Sequence, residues 1–370
     1  MASVQESKKN IDIDGGWKDS FIKNLLTPKA LSLIFFVFYG TFSVCMLRFV
    51  RFRDVPVMYT AASALFIGEI VKGTFSIYFL ILQTKSLTAT AQTLYTETFI
   101  NYTECIKSTI PALCYVLQNL LYYYAISYLD ATLLLVTEQI RILTTACFAT
   151  TILHKKLSNI QWMSMVVLII GIIFMQWQAS EGAAKSEEVT NGTDVVTTTH
   201  YYPIPNPLKI SPTIIGLIMV LIGSVLSGFT GIYLEKMYKD NLMSVWVRNL
   251  HLAMFSIPML VVAALITDFK QIMAGGFFNG FDYWVLTVSV VFGIHGILIA
   301  LILKYASTIL KCFATGFVIA LTTIVSIFLF DKHISYLFVI GTCIVLSSVF
   351  LYSNFPYIQP KQKGENISGV

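Results

Sequence analysis

Long apolar segments alternate with short polar ones along almost the whole chain. About 20 apolar residues are needed to cross the hydrocarbon core of a bilayer, so each of these runs predicts a membrane-spanning helix. The breaks are least sharp at Asp130, at Ser307 and at residues 331–333, where one run follows another almost directly. The ten runs cover residues 30–49, 57–84, 107–127, 129–151, 159–178, 212–237, 245–266, 282–305, 308–330 and 333–352.

A polar segment at residues 179–211 divides the ten runs into five and five. An odd number of spans in each half reverses the orientation of the second half. Segment 144–158 also loosely echoes segment 322–335, with a spacing that differs by one residue. The pattern therefore predicts an all-α polytopic membrane protein built from two inverted five-helix repeats, with a substrate site near the bilayer midplane between them.

The positive charges indicate how the chain is oriented. Residues 1–29 are basic and contain no apolar core of a signal peptide, which favours a cytosolic N-terminus. The predicted organisation is a cytosolic tail (1–29), a first membrane half (30–178), a lumenal loop (179–211), a second membrane half (212–352) and a cytosolic tail (353–370). The basic cluster Arg48, Arg51 and Arg53 is an exception on the lumenal side. Asn191 begins a weak glycosylation sequon in the lumenal loop.

Composition excludes several classes of protein. Only 12% of the 370 residues are charged, whereas soluble domains carry about 25%. The mean hydropathy is +0.73, and the net charge of +5 does not suggest a nucleic-acid partner. No zinc-protease, nucleophile-elbow or Walker motif is present, and the six cysteines include no CxxC pair. We therefore expect neither an enzyme nor an ATP-driven pump, and no cofactor or metal.

Ionisable residues inside the apolar runs need a reason, because each costs about 2.5–3.5 kcal/mol at mid-membrane. Glu69 and Lys72 are three residues apart, as are Glu138 and Arg141, so each pair shares a helix face and can form an ion pair. One interpretation is purely structural pairing, and the other is contact with a ligand.

Lys311 has no acidic residue within one helical turn. If Arg141 and Lys311 converge, they form a cationic pocket suited to a phosphorylated anion. Lys304 lies near the end of its run and can extend to the membrane surface instead.

Neutral groups in the third, sixth and seventh runs are further candidates. Tyr115, Gln118 and Tyr122 repeat at helical spacing and could line one face, and Asn119 follows Gln118. Aromatic side chains can stack on a nucleobase, and amides can read its edge. Packing is the alternative for these side chains and for the small residues of the sixth run. The candidates in the sixth and seventh runs are Ser227, Gly228, Gly231 and Asn249.

A set of short motifs covers runs two to ten in order. They are Glu69-xx-Lys72 and the segments 117–119, 127–131, 143–146, 161–162, 227–236, 244–250, 275–280, 304–305 and 310–315. These motifs resemble those of one family, the nucleotide-sugar transporters that carry CMP-sialic acid, UDP-galactose and UDP-N-acetylglucosamine, within the drug/metabolite transporter superfamily.

The resemblance implies ten helices, cytosolic termini and the exchange of a cytosolic nucleotide sugar for a lumenal nucleoside monophosphate across the Golgi or endoplasmic reticulum membrane. It also implies a substrate site, with Arg141 in place of the family's usual lysine. The family's site positions that match are Lys72, Tyr115, Gln118, Asn119, Ser227, Gly228, Gly231, Asn249 and Lys311.

Departures from the family pattern bear on the sugar. Leu134 and Glu138 replace two tyrosines, and Ala253 and Phe255 stand where sialic-acid carriers have polar residues. We therefore expect a UDP-sugar carrier, with UDP-N-acetylglucosamine or UDP-galactose favoured and UMP as the exchanged product. Two alternatives are a non-transporting scaffold that binds glycosyltransferases or other carriers, and a carrier for another phosphorylated metabolite. A homo- or hetero-oligomer is possible in either case.

Overall fold

The computed structural model describes residues 27–51, 53–125, 128–129, 134, 137–189, 212–240, 243–330 and 336–357. All regular structure in this part of the chain is helical. In chain order the α-helices are α1 (Pro28–Arg51), α2 (Ala61–Thr84), α3 (Leu87–Tyr95), α4 (Tyr102–Lys107), α5 (Thr109–Ala125), α6 (Arg141–Ile152), α7 (Asn159–Val189), α8 (Pro212–Asp240), α9 (Val245–Thr267), α10 (Phe269–Gly275), α11 (Tyr283–Tyr305), α12 (Thr308–Phe330) and α13 (Tyr336–Asn354).

Seven of these helices are long and apolar enough to cross a membrane, so the chain is a multi-pass membrane protein. They are Pro28–Leu47, Ala61–Thr84, Thr213–Lys239, Val245–Thr267, Tyr283–Tyr305, Thr308–Val325 and Tyr336–Asn354. Helices α5, α6 and α7 overlap the remaining three predicted runs, and Arg141–Ile152 and Asn159–Met175 are shorter apolar helices. The ten-span inverted repeat stays a prediction, because parts of its connections fall outside the described residues.

The connection between α2 and α5 is helical, although the hydrophobic pattern predicts no element there. Lys85 ends α2 in the left-handed conformation, with φ of 57°, and α3 begins two residues later. A π-helical turn, Thr96–Ile100, joins α3 to α4. The hydroxyl of Thr98 lies 3.0 Å from Nε2 of His251 on α9, which ties this connection to the helix bundle.

Small residues bring the helix axes close together. A Cβ atom on Gly171 of α7 would lie 3.0 Å from the carbonyl oxygen of Gly341 on α13, and one on Gly293 of α11 would lie 2.7 Å from that of Gly68 on α2. Helices meet this closely in membranes where side chains are absent from the contact. The main packing pairs are α7–α13, α2–α9, α5–α8, α1–α11, α6–α8, α1–α12, α2–α11 and α5–α9.

Candidate functional site

Two cavities lined by described residues contain most of the predicted site positions. The first, which we term the amide cavity, has a volume of about 280 Å³ and is bounded by α2, α5, α8, α9 and α11. Its polar lining consists of Glu69, Lys72, Tyr115, Asn119, Tyr238, Asn249 and Ser256. Four of the predicted site residues therefore share this cavity: Lys72, Tyr115, Asn119 and Asn249.

The charge in the amide cavity is internally neutralised. Nζ of Lys72 lies 2.6 and 2.7 Å from the two carboxylate oxygens of Glu69, so the predicted pairing on α2 is present. Lys72 is 8% exposed, and its aliphatic chain lies against Gly296 of α11. A pair with both charges compensated presents a polar but uncharged wall to a ligand.

An amide and a phenol also meet in the lining of this cavity. The hydroxyl of Tyr238 donates a hydrogen bond of 2.8 Å to Oδ1 of Asn249. Asn249 is 1% exposed, and its Nδ2 has no hydrogen-bond partner in the described part of the chain.

The second cavity, which we term the cationic cavity, has a volume of about 240 Å³. Arg141 from α6 and Lys311 from α12 both line it, together with Ser227 from α8. The other polar groups in the lining are those of Gln139, Thr145, His295, Thr308, Cys312 and Thr315. The two cations of the predicted phosphate pocket therefore face one space, although their role in binding is not tested by this geometry.

The two cations differ in their compensation. Nη1 of Arg141 lies 2.7 Å from Oε1 of Glu138, which is the pairing that their spacing predicts. Lys311 forms no ion pair within the described residues. An uncompensated cation in a low-dielectric interior attracts an anion strongly, so Lys311 supplies the larger share of the field in this cavity.

Helix α11 connects the two cavities. Ile299 lines both of them, Gly296 lines the amide cavity and His295 lines the cationic cavity. An elongated ligand with a polar uncharged end and an anionic end would match these adjacent spaces.

Four predicted site residues do not line either of these cavities: Gln118, Glu138, Gly228 and Gly231. A Cβ atom on Gly228 would overlap the hydroxyl of Thr144, and one on Gly231 would lie 2.7 Å from Cγ2 of Thr308. In this conformation both glycines serve close packing of α8 against its neighbours. Asn191 lies outside the described residues.

A buried carboxylate cluster was missed by sequence reasoning. Glu235 of α8 is fully buried, and its Oε1 accepts hydrogen bonds from Nζ of Lys155 at 2.6 Å and Nζ of Lys239 at 2.8 Å. Its Oε2 accepts from the backbone N–H of Thr308 at 2.7 Å. The cluster joins the α6–α7 connection, the end of α8 and the start of α12. The sequence gives little signal of this burial, because Glu235 stands among the charged residues at the end of its helix.

Another ion pair lies at the end of the bundle opposite the Glu235 cluster. Arg53 forms a bidentate bridge to Asp282, with distances of 2.6 and 3.1 Å. Asp282 also caps α11 by accepting from the N–H of Val285 at 2.9 Å. The guanidinium of Arg53 holds the pKa of Asp282 below its ordinary value. Arg53 belongs to the basic cluster that is an exception to the predicted orientation, and this ion pair neutralises its charge. The side chains of Arg48 and Arg51, the other two members, lie outside the described residues.

The bundle and its polar cavities define a multi-pass helical membrane protein in which charged and polar side chains face internal space. The family model described as nucleotide-sugar transporter matches residues 24–353. The chain belongs to the nucleotide-sugar transporter family, and it is a transporter rather than an enzyme.

Individual relatives support this assignment. A UDP-galactose/UDP-N-acetylglucosamine transporter of Caenorhabditis elegans is 34% identical over 88% of this chain and 82% of its own length. The UDP-N-acetylglucosamine transporter of Rattus norvegicus is 34% identical over 89% and 96%, and the UDP-galactose translocator of Mus musculus is 34% identical over 79% and 70%. A crystal structure that is 12% identical superposes with a TM-score of 0.58, covering 87% of this chain and 97% of its own, which indicates a shared fold.

Proposed function

We propose that this transporter imports a UDP-sugar, with UDP-N-acetylglucosamine or UDP-galactose favoured, into the Golgi lumen in exchange for UMP. The observation that carries the proposal is that Arg141 and Lys311 line one cavity next to a second cavity, which has no net charge and contains amide and aromatic groups. The similar proteins of worm, rat and mouse carry UDP-N-acetylglucosamine or UDP-galactose in their names, which favours these two sugars.

The two cavities suit different parts of the substrate. A guanidinium and an ammonium bind phosphate oxygens through charge-assisted hydrogen bonds, so the diphosphate occupies the cationic cavity. Tyr115 can stack on the base, and Asn119 and Asn249 can bond to its edge in the amide cavity. Since UMP and the UDP-sugar share the base and a phosphate, one site serves both directions of the exchange.

The packing of the helices supports an inverted repeat of five and five. In such a repeat, each helix of the first half corresponds to one of the second half, in the order α1, α2, α5, α6, α7 and α8, α9, α11, α12, α13. The contacts follow this correspondence: the pair α5–α8 corresponds to α1–α11, the pair α6–α8 to α1–α12, and the pair α2–α11 to α5–α9. The pairs α2–α9 and α7–α13 map onto themselves. Rocking of two such halves about the cavities would expose the site to each side in turn.

The orientation follows from this proposal and from the charge pattern. Both tails are cytosolic, the segment 179–211 is lumenal, and Glu235 with its two lysines lies at the cytosolic end of the bundle. Association with a second copy, another carrier or a glycosyltransferase would take place in the Golgi or endoplasmic reticulum membrane.

Transport is tested with purified protein in liposomes preloaded with UMP. Labelled UDP-N-acetylglucosamine or UDP-galactose should enter, and empty liposomes should take up much less. Absence of uptake for every nucleotide sugar offered would reject the proposal and favour the scaffold alternative.

The role of the cations is tested with two lysine variants. Lys311→Ala removes a cation from the cavity and should lower UMP affinity by tenfold or more, since a charge-assisted hydrogen bond is worth about 1.5–3 kcal/mol. Lys304→Ala is the matched control, because Lys304 lies at the end of α11 and lines neither cavity. Equal small effects of the two variants would contradict the assignment of Lys311.

A further inference from the structure

The hydrogen bond between Tyr238 and Asn249 restricts what the amide cavity can recognise. Both side chains line this cavity, and they are 5% and 1% exposed. The tyrosine belongs to α8 and the asparagine to α9, and their bond is 2.8 Å long. Bulk water cannot satisfy either group in this position, so each depends on the other or on a ligand.

The bond orients the amide. A buried phenol proton needs an acceptor, and Oδ1 of Asn249 is the acceptor that the geometry provides. With Oδ1 occupied, the group left for a ligand is Nδ2, which is a donor and has no partner in the described part of the chain. A buried donor of this kind is unfavourable until a ligand offers an acceptor.

Uracil and cytosine differ on this edge at two positions. Uracil carries a carbonyl acceptor at C4 and an N–H donor at N3, whereas cytosine carries an amino donor at C4 and an acceptor at N3. A donor that faces the C4 substituent therefore favours uracil. We propose that Tyr238 is a positioning residue that holds the amide of Asn249 with Nδ2 towards the base, so that the transporter accepts a 4-oxo pyrimidine nucleotide and disfavours a 4-amino one. This inference rests on the proposed function, because it takes the amide cavity to be the base subsite.

The other polar groups of the cavity do not supply the same discrimination. No hydrogen bond among the described residues fixes the amide of Asn119, so it can turn to suit either base. Glu69 and Lys72 are engaged with each other. The hydroxyls of Tyr115 and Ser256 can each donate or accept, so they suit either base. The choice between a carbonyl and an amino group therefore falls to the amide that Tyr238 holds.

The test compares UMP and CMP binding to purified protein, measured as dissociation constants. Wild type should bind UMP more tightly than CMP. Tyr238→Phe retains the packed ring and frees the amide to turn, so the UMP to CMP preference should fall by about tenfold, the effect of one hydrogen bond. A general loss of packing would weaken both nucleotides equally and leave the ratio unchanged.

Tyr233→Phe provides the matched control. Tyr233 lies on the same helix and packs against the same hydrophobic cluster as Tyr238. Its hydroxyl makes no hydrogen bond within the described residues, so its removal should leave the UMP to CMP ratio unchanged.

Asn249→Asp gives a second readout that does not depend on the folding of the tyrosine variant. One carboxylate oxygen can still accept from Tyr238, while the other replaces the donor with an acceptor. The preference should then invert towards CMP. A retained preference for UMP would overturn the inference, as would an unchanged ratio in Tyr238→Phe.

The outcomes separate this inference from the function on which it rests. Binding of UMP with no effect of the variants on the UMP to CMP ratio would overturn the role of Tyr238 alone. If neither nucleotide binds wild type, the proposed function fails and takes this inference with it.

Discussion

Replacing Glu235 with Gln should destabilise the protein more than any conservative change at its surface. The carboxylate is fully buried and accepts three hydrogen bonds, two from Lys155 and Lys239 and one from the backbone N–H of Thr308. Glutamine has nearly the same volume, so the packing around the side chain is preserved. It removes the negative charge and turns one of the two acceptor oxygens into a donor.

The magnitude follows from these contacts. Whichever way the new amide turns, its NH₂ group faces either a lysine ammonium or the N–H of Thr308, so at least one contact becomes donor against donor. A hydrogen bond to a charged group is worth about 1.5–3 kcal/mol, and breaking a buried ion pair costs about 3–5 kcal/mol. Lys155 and Lys239 are each 32% exposed and regain part of this loss by hydration. We expect a loss of about 2–3 kcal/mol.

The measurement is denaturant unfolding in one detergent, with Glu97→Gln as the control. Glu97 is only half-buried and accepts a single hydrogen bond, of 3.2 Å, from Asn101 one turn away. Its replacement should change the free energy of unfolding by less than about 0.5 kcal/mol. If Glu235→Gln unfolds as the control does, the cluster contributes no net stability and the reasoning is refuted.

Three further outcomes are expected. Gly228→Ala places a methyl group against the backbone of α6, 2.8 Å from an amide nitrogen. It should lower the free energy of unfolding by about 1–3 kcal/mol. Gly73→Ala should be tolerated, because the nearest atom to the new methyl group is 3.6 Å away. Arg53 lowers the pKa of Asp282. The difference in free energy of unfolding between wild type and Asp282→Asn should therefore be present at neutral pH and vanish as the pH falls through that lowered pKa. A difference that does not change with pH would contradict the ion pair. Glu138→Gln releases the arginine with which it pairs and should strengthen UMP binding by about two- to fivefold, measured as a dissociation constant.

The hydrophobic pattern predicts the long helices because an apolar run is a local property of the chain. Helices α8, α9 and α11 begin and end within a few residues of the predicted bounds. The helical connection at residues 85–107 has no such run. Its short pieces hold their positions through tertiary contacts, such as the bond from Thr98 to His251 on α9, which no local pattern contains.

The residues of the candidate site likewise fall into those that the local sequence indicates and those that only the fold brings together. Arg141 and Lys311 stand out in the sequence because a charge in an apolar run is costly, and the structure places both on one cavity. Tyr238 gives no such signal, since its partner Asn249 lies on the next helix and only the fold brings the two together. Glu235 is followed directly by a lysine and has another four residues on, so it resembles the polar end of a helix until its burial is known.

Ion pairs join the two proposed halves at both ends of the bundle. Glu235 on α8 binds Lys155 between α6 and α7, and Arg53 after α1 binds Asp282 at the start of α11. Rocking of the halves, as proposed, would separate the pair at whichever end opens, because the partners of each pair belong to different halves. Each pair therefore contributes to the barrier for access from its own side, and a variant that removes one pair should lose stability and open more easily at that end in the same step.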